Sequence, residues 1–328
     1  MTTETSELTE AKTASSSSSS TMEAAVLTAP KTIEITETKL PQPAQNQVRI
    51  QIEGCGLCAS SLPVWEGRDW FSYPQEAGAP GHEAWGTIDA VGEEVSGLQI
   101  GDRVACLSYH GYAEYDLADA ENVVKLPESL KNQPFPGEPL GCAINIFKRS
   151  DIQKGQTVAI LGIGFLGALL VQLAKAAGAR VIAVSQRDYS LEVAKECGAD
   201  ETIKMDDHWR IIEDVKKLTE EKFCERVIEC TGKEWPLNLA GELTAERGKL
   251  IIAGFHQDGM RQVNIQLWNW RGLDVINAHE RDPKMYMQGI KDAVEAVTEG
   301  RLNPQPLYTH FFKMNELEEA FEHMQNRP

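Results

Sequence analysis

Residues 157–167 read TVAILGIGFLG, and this stretch decides the fold that the sequence predicts. Its apolar first half suits a short buried strand, and its second half matches the pattern G-x-G-x-x-G. A predicted helix over 168–177 follows, which is the setting in which this pattern binds a dinucleotide through the helix N-terminus. The alternative is a tight turn that binds no ligand. The loop residues predicted to contact a cofactor are Gly162, Gly164, Phe165, Leu166 and Gly167.

The three glycines have separate predicted tasks. Gly162 allows the tight turn, Gly164 lets the backbone approach a pyrophosphate, and Gly167 lets the helix pack against the strand. Downstream, we predict strands over 180–184 and 226–230, with helices between them. Strands that alternate with helices form a parallel sheet. The predicted fold class is therefore α/β, with a doubly wound, Rossmann-type nucleotide domain.

The end of the second predicted strand indicates which dinucleotide is bound. An acidic residue there would bind the ribose 2′-hydroxyl of NAD, but this chain has Ser185, Gln186 and Arg187. No carboxylate at these positions repels a 2′-phosphate, and the Arg187 guanidinium can pair with one. We therefore expect NADP bound by Ser185 and Arg187, with NAD as the alternative. Arg187 could instead only solvate the start of a helix.

The rest of the chain follows a different pattern. Period-two alternation over 48–52 and 85–91 predicts strands of a β-barrel or sandwich, and two helices are predicted over 285–299 and 315–325. Residues 1–22 are rich in Thr, Ser and Glu and cannot bury enough apolar surface to offset the cost of ordering. The predicted domains are a disordered leader (1–22), a split catalytic domain (23–143 and 278–328) and an inserted nucleotide domain (144–277).

Cysteine and histidine residues upstream of the nucleotide domain form a candidate metal site. Cys58, His82 and Cys142 would supply two thiolates and one imidazole, and three such ligands with an open fourth position are typical of catalytic zinc. Glu83 could add a carboxylate, as a further ligand or as support for the others. The residues alone leave two alternatives: Cys142 as a buried apolar thiol, and Cys55 with Cys58 as a redox pair.

Six short motifs stand in order along the chain. They are Gly56-Leu57-Cys58, Gly81-His82-Glu83, Gly101-Asp102-Arg103-Val104, Gly141-Cys142, the loop from Gly162 to Gly167, and Glu229-Cys230-Thr231-Gly232. The set resembles the zinc-containing alcohol dehydrogenases of the medium-chain dehydrogenase/reductase superfamily. The resemblance implies a GroES-like β-barrel catalytic domain, a Rossmann domain, and an active site in the cleft between them.

The resemblance also implies roles for individual residues. Cys58, His82 and Cys142 match the ligands of one catalytic zinc ion per chain. Glu83 matches the adjacent carboxylate, and we expect it to act both as a zinc ligand and as a catalytic group. Ser60 matches the catalytic hydroxyl that takes the substrate proton. The remaining positions that match cofactor contacts are Thr231, Gly254 and Phe255, with Asn277 and His279 near the nicotinamide.

This chain departs from the family pattern in ways that bear on chemistry. Ser61 and Pro63 stand where many members have an acidic residue and a histidine. We therefore expect Ser60 to pass its proton to water or a ribose hydroxyl. Cys106 alone follows the Gly-Asp-Arg-Val segment closely, so we expect no structural zinc. We also expect truncation after Pro328, where many relatives continue.

Composition excludes several classes of partner. The 328 residues include 32 basic and 49 acidic ones, for a formal net charge of −17, which repels nucleic acid and anionic lipid. No apolar run is long enough to span a bilayer. Seven unevenly spaced cysteines indicate reduced thiols, and hence a cytoplasmic protein. The resemblance implies a homodimer or homotetramer, and residues 268–271 could line either an oligomer contact or the cleft.

We expect a zinc-dependent oxidoreductase that moves a hydride between NAD(P) and an alcohol or carbonyl substrate. The resemblance places one loop near the substrate, and its mix of aromatic and charged side chains favours a polyol, sugar or secondary alcohol; the alternative is an exposed surface loop. That loop carries Trp65, Arg68, Asp69, Trp70 and Phe71. The alternatives are a zinc-free quinone or enone reductase on the same fold, and a protein that binds NADP without catalysis.

Overall fold

The structure is a computed structural model that describes residues 20–326. Its strands are β1 (Thr21–Ala29), β2 (Thr32–Lys39), β3 (Gln47–Cys55), β4 (Ala84–Val91), β5 (Arg103–Cys106), β6 (Tyr115–Asp119), β7 (Val123–Lys125), β8 (Thr157–Leu161), β9 (Arg180–Ser185), β10 (Glu201–Lys204), β11 (Cys224–Glu229), β12 (Thr244–Ile252) and β13 (Asp274–Asn277). Its helices are α1 (Leu62–Glu66), α2 (Gly137–Ser150), α3 (Phe165–Ala176), α4 (Asp188–Glu196), α5 (His208–Leu218), α6 (Glu234–Leu243), α7 (Ile265–Arg271), α8 (Pro283–Thr298) and α9 (Leu317–Asn326). None of the helices in this range is long and apolar enough to cross a membrane.

A six-stranded sheet in the order β10-β9-β8-β11-β12-β13 forms the nucleotide domain. Every neighbouring pair in it is parallel, because a helix connects each strand to the next. The predicted α/β fold class is therefore confirmed. The strand order reverses between β8 and β11, and ligands of such sheets bind at the carboxyl ends of the strands beside that point. The glycine loop follows β8 directly and opens there.

The central strands β8, β9 and β11 are buried on both faces, which explains their largely apolar sequence. Successive residues of β8 point to opposite faces of the sheet: Ala159 belongs to the apolar core on one face and Ile160 to the core on the other. Strand β10 was not predicted, because it buries only Ile203 and offers almost no pattern. The sequence does indicate helix α5, because Asp207 caps its start and Ile211 and Val215 lie on one apolar face.

The catalytic domain contains the antiparallel sheet β6-β3-β4-β5-β7 and the hairpin β1-β2. The predicted strands over 48–52 and 85–91 lie within β3 and β4. Helix α9 returns to this domain at the end of the chain, where the Phe321 ring stacks on Trp65 with centroids 4.9 Å apart. The C-terminal segment therefore completes a core that the N-terminal segment begins.

Two predicted boundaries differ from the structure. Strand β1 begins at Thr21, so Thr21 and Met22 belong to a strand and not to the leader. Met22 is buried among apolar side chains, which offsets the cost of ordering it, while residues 1–19 lie outside the described part. The boundary after residue 143 falls inside α2, whose apolar face packs on α3 and α8 together. Helix α2 therefore packs against elements of both domains.

Candidate metal and nucleotide site

Residues of both domains line one cleft with a volume of about 1880 Å³. Side chains of the catalytic domain form one part of its wall, and the glycine loop forms another. The predicted site residues that line it are Cys58, Ser60, His82, Glu83, Cys142, Gly162, Gly164, Phe165, Leu166, Gly167, Ser185, Arg187, Thr231, Gly254 and Phe255. Motifs predicted separately as a metal site and a nucleotide site therefore meet in one cavity.

Three side chains of the catalytic domain turn their ligand atoms toward a common point. The Cys58 Sγ, a ring nitrogen of His82 and a carboxylate oxygen of Glu83 all lie within 4.8 Å of one another. Cys58 precedes a short 3₁₀ turn, and the other two residues directly precede β4. Across residues 20–326, no other group of three or more such side chains meets this distance.

Backbone and side-chain contacts orient the His82 ring. Its Nδ1 lies 2.8 Å from the Pro80 carbonyl oxygen, an acceptor that requires the proton on Nδ1. Nε2 is therefore left with its lone pair for a metal, and a carbonyl behind the ring is the usual support for a metal-binding histidine. The Ser60 hydroxyl lies 3.4 Å from Nε2 and donates to Cys58 Sγ at 3.2 Å.

The position of Glu83 depends on the absence of a side chain at Gly56. A Cβ built on Gly56 would lie 1.9 Å from Glu83 Oε2, closer than any real contact. The Gly56 N–H also donates to the Glu83 carbonyl oxygen at 3.1 Å, which joins the two segments that carry the cluster. Glu83 itself is 7% exposed, so its carboxylate faces the cluster and not solvent.

Cys142 lies outside the tight set of three. Its thiol donates to Glu138 Oε1 at 3.4 Å and lies 2.9 Å from the Tyr286 hydroxyl, which also donates to Glu138. The sequence prediction missed Glu138 and Tyr286, although Glu138 stands one helical turn before Cys142 on α2. Cys142 and Glu138 are therefore the two residues beside the set that could complete a ligand group.

Burial and mutual repulsion dominate the electrostatics of this cluster. Burial, Cys58 and Glu138 together raise the pKa of Glu83 well above its usual value. Burial and the Glu138 charge raise the pKa of Cys58, and raise that of Cys142 still further. Acidic groups packed this closely lack counter-charge, and a bound dication would reverse these shifts. A donor set of thiolate, imidazole and carboxylate fits zinc.

At the nucleotide side, the loop glycines have the predicted geometry. Gly162 has φ of 93°, and a Cβ there would lie 2.5 Å from Thr231 Cγ2. A Cβ on Gly167 would lie 2.2 Å from the Gly162 carbonyl oxygen, so α3 touches the turn that directly follows β8. A Cβ on Gly164 would meet nothing within 4 Å, and no side chain caps α3 at Gly164. The uncapped helix start therefore faces open space in the cleft.

The end of β9 carries the residues predicted to select the cofactor. Ser185 is buried and Arg187 is the N-cap of α4, whose start no side chain caps. The sequence prediction missed Ser190, which is 2% exposed and lines the same cleft. Its Oγ has no hydrogen-bond partner among the described residues. A buried orphan hydroxyl in a cavity wall calls for a ligand atom or water.

A buried carboxylate connects two loops of the nucleotide domain. Glu229, fully buried at the end of β11, accepts hydrogen bonds from the N–H groups of Thr231 (2.6 Å) and Gly232 (2.9 Å) and from the Thr231 hydroxyl. Its other oxygen lies 3.0 Å from His256 Nε2, and Arg261 donates to His256 Nδ1. Glu229 therefore holds the loops that follow β11 and β12, which carry the other predicted cofactor contacts.

Of the remaining predicted positions, Phe255 and His279 line the same cleft and Asn277 does not. Phe255 stacks on His279 with centroids 5.4 Å apart, and Asn277 ends β13. Phe165 stacks on Tyr308, a residue that the sequence prediction missed, at 5.7 Å. Cys106, by contrast, lies in the core of the antiparallel sheet and is fully buried.

Two family models match the chain and together cover most of it. Residues 44–128 match the alcohol dehydrogenase GroES-like domain, and residues 166–295 match the zinc-binding dehydrogenases. The chain belongs to the zinc-type alcohol dehydrogenase family of medium-chain dehydrogenases/reductases. The family predicted from the motifs is thus confirmed, and with it the GroES-like domain beside the Rossmann-type sheet.

Individual relatives differ in how much of the chain they match. An alcohol dehydrogenase of Geobacillus stearothermophilus is 36% identical over 203 residues, which are 52% of this chain and 59% of that protein. The match therefore spans little more than half of that relative. A sorbitol dehydrogenase of Halalkalibacterium halodurans is 27% identical over 320 residues, 88% of this chain and 91% of its own. The fold is shared with an Escherichia coli oxidoreductase/dehydrogenase of unknown specificity (TM-score 0.83, 23% identity, 94% of this chain and 96% of that one).

Proposed function

We propose that this protein is a zinc-dependent oxidoreductase that moves a hydride between an alcohol or carbonyl substrate and NADP. The observation that carries the proposal is one cleft lined both by the Cys58, His82 and Glu83 cluster and by the glycine loop. The metal and the nicotinamide must lie near each other for hydride transfer, and a shared cavity meets that requirement. The alcohol and sorbitol dehydrogenases among the relatives support the same reaction class.

The metal cluster would carry the oxygen chemistry. Cys58, His82 and Glu83 would hold zinc, and Cys142 is the expected further ligand, with Glu138 beside it. When bound, zinc supplies a Lewis acid that favours the deprotonated form of a substrate hydroxyl. The Ser60 hydroxyl, now donating to Cys58, can turn to accept that proton. Pro63 offers no titratable group, so the proton would leave Ser60 for water in the cleft or a ribose hydroxyl.

The reaction moves two electrons. The C–H bond of the alcohol carbon breaks, its electron pair leaves with the hydride, and the hydroxyl proton departs, so that a carbonyl compound forms. The nicotinamide supplies the hydride acceptor. Phe255 and Thr231 line the wall where the ring would lie, and Glu229 fixes both of their loops.

The choice of NADP rests on the end of β9. A 2′-phosphate there would meet Arg187, the uncapped start of α4 and the orphan Ser190 hydroxyl, which are all groups that suit a phosphate. We expect tighter binding of NADP than of NAD, measured by calorimetry. Arg187→Ala should weaken NADP by about tenfold, since a charge-assisted pair contributes roughly 1.5 kcal/mol. Equal affinities in the unmutated protein would overturn this part.

Two other functions predict different results. A zinc-free quinone or enone reductase needs no thiolate and histidine ligands, yet this chain has them within 4.8 Å. A protein that only binds NADP would show affinity without turnover. The deciding experiment is elemental analysis combined with an oxidation screen of polyols, inositols, secondary and aromatic alcohols with both cofactors. About one zinc per chain with turnover supports the proposal; no metal, or no turnover, contradicts it.

Assembly and location are proposed on surface features. Trp270 is 88% exposed on α7, next to the sheet edge formed by β13, and such an apolar surface suits a contact between copies of this chain. We therefore propose a homodimer or homotetramer, which sedimentation would test. The seven cysteines are free thiols, which suits the reducing cytoplasm.

A further inference from the structure

The packing of α8 on α2 brings residues that are far apart in sequence to the metal cluster. Two glycines permit the close approach: a Cβ on Gly141 would lie 2.9 Å from the Ile290 nitrogen, and one on Gly289 would lie 2.5 Å from Asn145 Nδ2. Asn145 Nδ2 also donates to the Met285 carbonyl oxygen at 3.1 Å. Neither helix can shift along the other without breaking these contacts, because packed side chains leave little room to move. The register of α8 against α2 is therefore fixed.

This register places Tyr286, in the first turn of α8, against two side chains of α2. The Tyr286 hydroxyl lies 2.9 Å from Cys142 Sγ and donates to Glu138 Oε1. The Cys142 thiol lies 3.4 Å from the same carboxylate oxygen. All three side chains line the cleft that contains the metal cluster. A phenol, a thiol and a carboxylate therefore form one set of mutual hydrogen bonds at the edge of this cluster.

The chemistry of the phenol limits what Tyr286 does in this set. Burial and the Glu138 charge raise the pKa of Tyr286, so its hydroxyl keeps its proton and acts as a donor. Thiolates, imidazoles and carboxylates are the usual protein ligands of zinc, and a protonated phenol is not one of them. Any effect of Tyr286 on a bound metal must therefore pass through Cys142 and Glu138.

Cys142 and Glu138 are also the side chains that most need such support. They lie one helical turn apart on α2, beside the tighter group of Cys58, His82 and Glu83. A glutamate side chain without a partner samples many rotamers, and fixing it when a metal binds costs conformational entropy. A hydrogen bond that holds the side chain beforehand lowers this cost. Groups that orient metal ligands in this way change metal affinity by roughly 10- to 100-fold.

We propose that Tyr286 is a positioning residue of the metal site, which holds Cys142 and Glu138 beside the cluster through its hydroxyl. The inference rests on the proposed function, because it takes the cluster to bind zinc. It adds that zinc affinity depends on a side chain 144 residues beyond Cys142, on a helix that supplies no ligand of its own.

The first test measures Kd for zinc by competition with a chelator, starting from metal-free protein. Tyr286→Phe keeps the ring and removes only the hydroxyl, so Kd should rise about tenfold or more. The matched control is Tyr115→Phe, which removes the hydroxyl of a half-buried tyrosine that lines neither this cleft nor the second, smaller cavity. Its Kd should stay within about twofold of the unmutated value.

The outcomes of this first test separate the inference from the proposed function. An unmutated protein that binds zinc, with an unchanged Kd in Tyr286→Phe, would overturn the inference and leave the proposed function intact. An unmutated protein that binds no zinc would instead overturn the proposed function, and the inference with it.

A second test separates positioning from simple packing of α8. The substitution Tyr286→Phe is repeated in the Cys142→Ala and Glu138→Gln variants, each of which alters one partner of the hydroxyl. Because the hydroxyl acts only through these partners, its tenfold effect on Kd should shrink to about threefold or less in at least one of the two variants. A full tenfold effect in both would show that Tyr286 only supports the packing of α8 on α2, and would overturn the inference.

A spectroscopic test needs no turnover. Cobalt(II) in place of zinc gives visible absorption bands that depend on the type and orientation of its ligands. Tyr286→Phe should move or weaken the thiolate-to-cobalt band, because a side chain next to the hydroxyl changes its hydrogen bonding. Tyr115→Phe should leave the spectrum unchanged. A cobalt spectrum of Tyr286→Phe identical to that of the unmutated protein would contradict the assigned role.

Discussion

The nucleotide part and the metal part of the cleft are built in contrasting ways. At the glycine loop, backbone atoms and missing side chains form the surface: a Cβ on Gly162 or Gly167 would collide, and one on Gly164 would fill open space. At the metal cluster, side chains form the surface: Cys58 before a 3₁₀ turn and His82 and Glu83 before β4 turn their ligand atoms toward one another, and Cys142 of α2 lies beside them in the cleft. The first part is local in sequence and the second is not. Substitutions should therefore damage one without the other.

The largest expected effect is loss of the metal part alone. Cys58→Ser should remove zinc and lower kcat/KM by about a thousandfold or more, since a Lewis acid contributes several kcal/mol. NADP affinity, measured by calorimetry, should stay within about twofold, because α3 and its loop are untouched. Cys197→Ser, which removes a half-buried thiol of the nucleotide domain, is the matched control. If the Cys58→Ser variant retains zinc, Cys58 is not a zinc ligand.

A smaller, opposite effect is expected from the glycine loop. Gly164→Ala adds a methyl that meets no protein atom, so the free energy of unfolding should hardly change. The methyl occupies the space where a pyrophosphate would approach, so NADP affinity should fall by about tenfold or more. Zinc content should remain about one per chain.

Gly167→Ala provides a contrast to Gly164→Ala, because its methyl group would lie 2.2 Å from the Gly162 carbonyl oxygen. This variant should lose stability as well as affinity, and thermal unfolding distinguishes the two. Should Gly164→Ala bind NADP as well as the unmutated protein, the cofactor does not lie on this loop.

The buried carboxylate of Glu229, which joins two loops of the nucleotide part, should give an intermediate effect on NADP affinity. Glu229→Gln weakens the hydrogen bonds that hold the loops after β11 and β12, so Kd for NADP should rise about fivefold, roughly 1 kcal/mol. Glu225→Gln, on the exposed side of the same strand, is the matched control. The zinc content of both variants should be unchanged; zinc loss in Glu229→Gln would show that the two parts are not separable.

The last expected effect concerns the pH dependence of stability and not binding or turnover. Burial raises the pKa of Glu83 above its ordinary value of 4.5 in the metal-free protein. The unfolded chain then releases this proton at a lower pH than the folded chain does. The free energy of unfolding should therefore fall as pH rises above about 4.5, with a slope of up to about 1.4 kcal/mol per pH unit. Denaturant unfolding of metal-free protein and of Glu83→Gln would isolate the contribution.

Bound zinc should cancel this fall in the free energy of unfolding, because it favours the deprotonated forms of Glu83 and of the cysteine ligands. The comparison of interest is the difference between the unmutated protein and Glu83→Gln across the same pH range, with and without metal. A metal-free difference that grows in favour of the unmutated protein with pH would contradict the sign of this dependence.

Sequence predicts the two parts unequally well for physical reasons. The glycine loop is one continuous segment, so its turn, its helix start and its partner strand could all be read from residues 157–177. The residue types made Cys58 and His82 candidate ligands but left other roles open, and only the order of the motifs favoured the metal site. Glu138 and Tyr286 are 148 residues apart and meet through the packing of α8 on α2, which no local pattern encodes. Ser190 was missed because a lone serine carries no signal until its surroundings are known.

One measurement tests the central claim directly: the rate of NADP reduction by metal-free protein as zinc is added back, with an alcohol substrate in excess. The account predicts a rate that rises in proportion to zinc and stops at about one equivalent per chain. Cys58→Ser should show no such rise. A rate that is full without zinc would contradict the account, as would one that appears equally in Cys58→Ser.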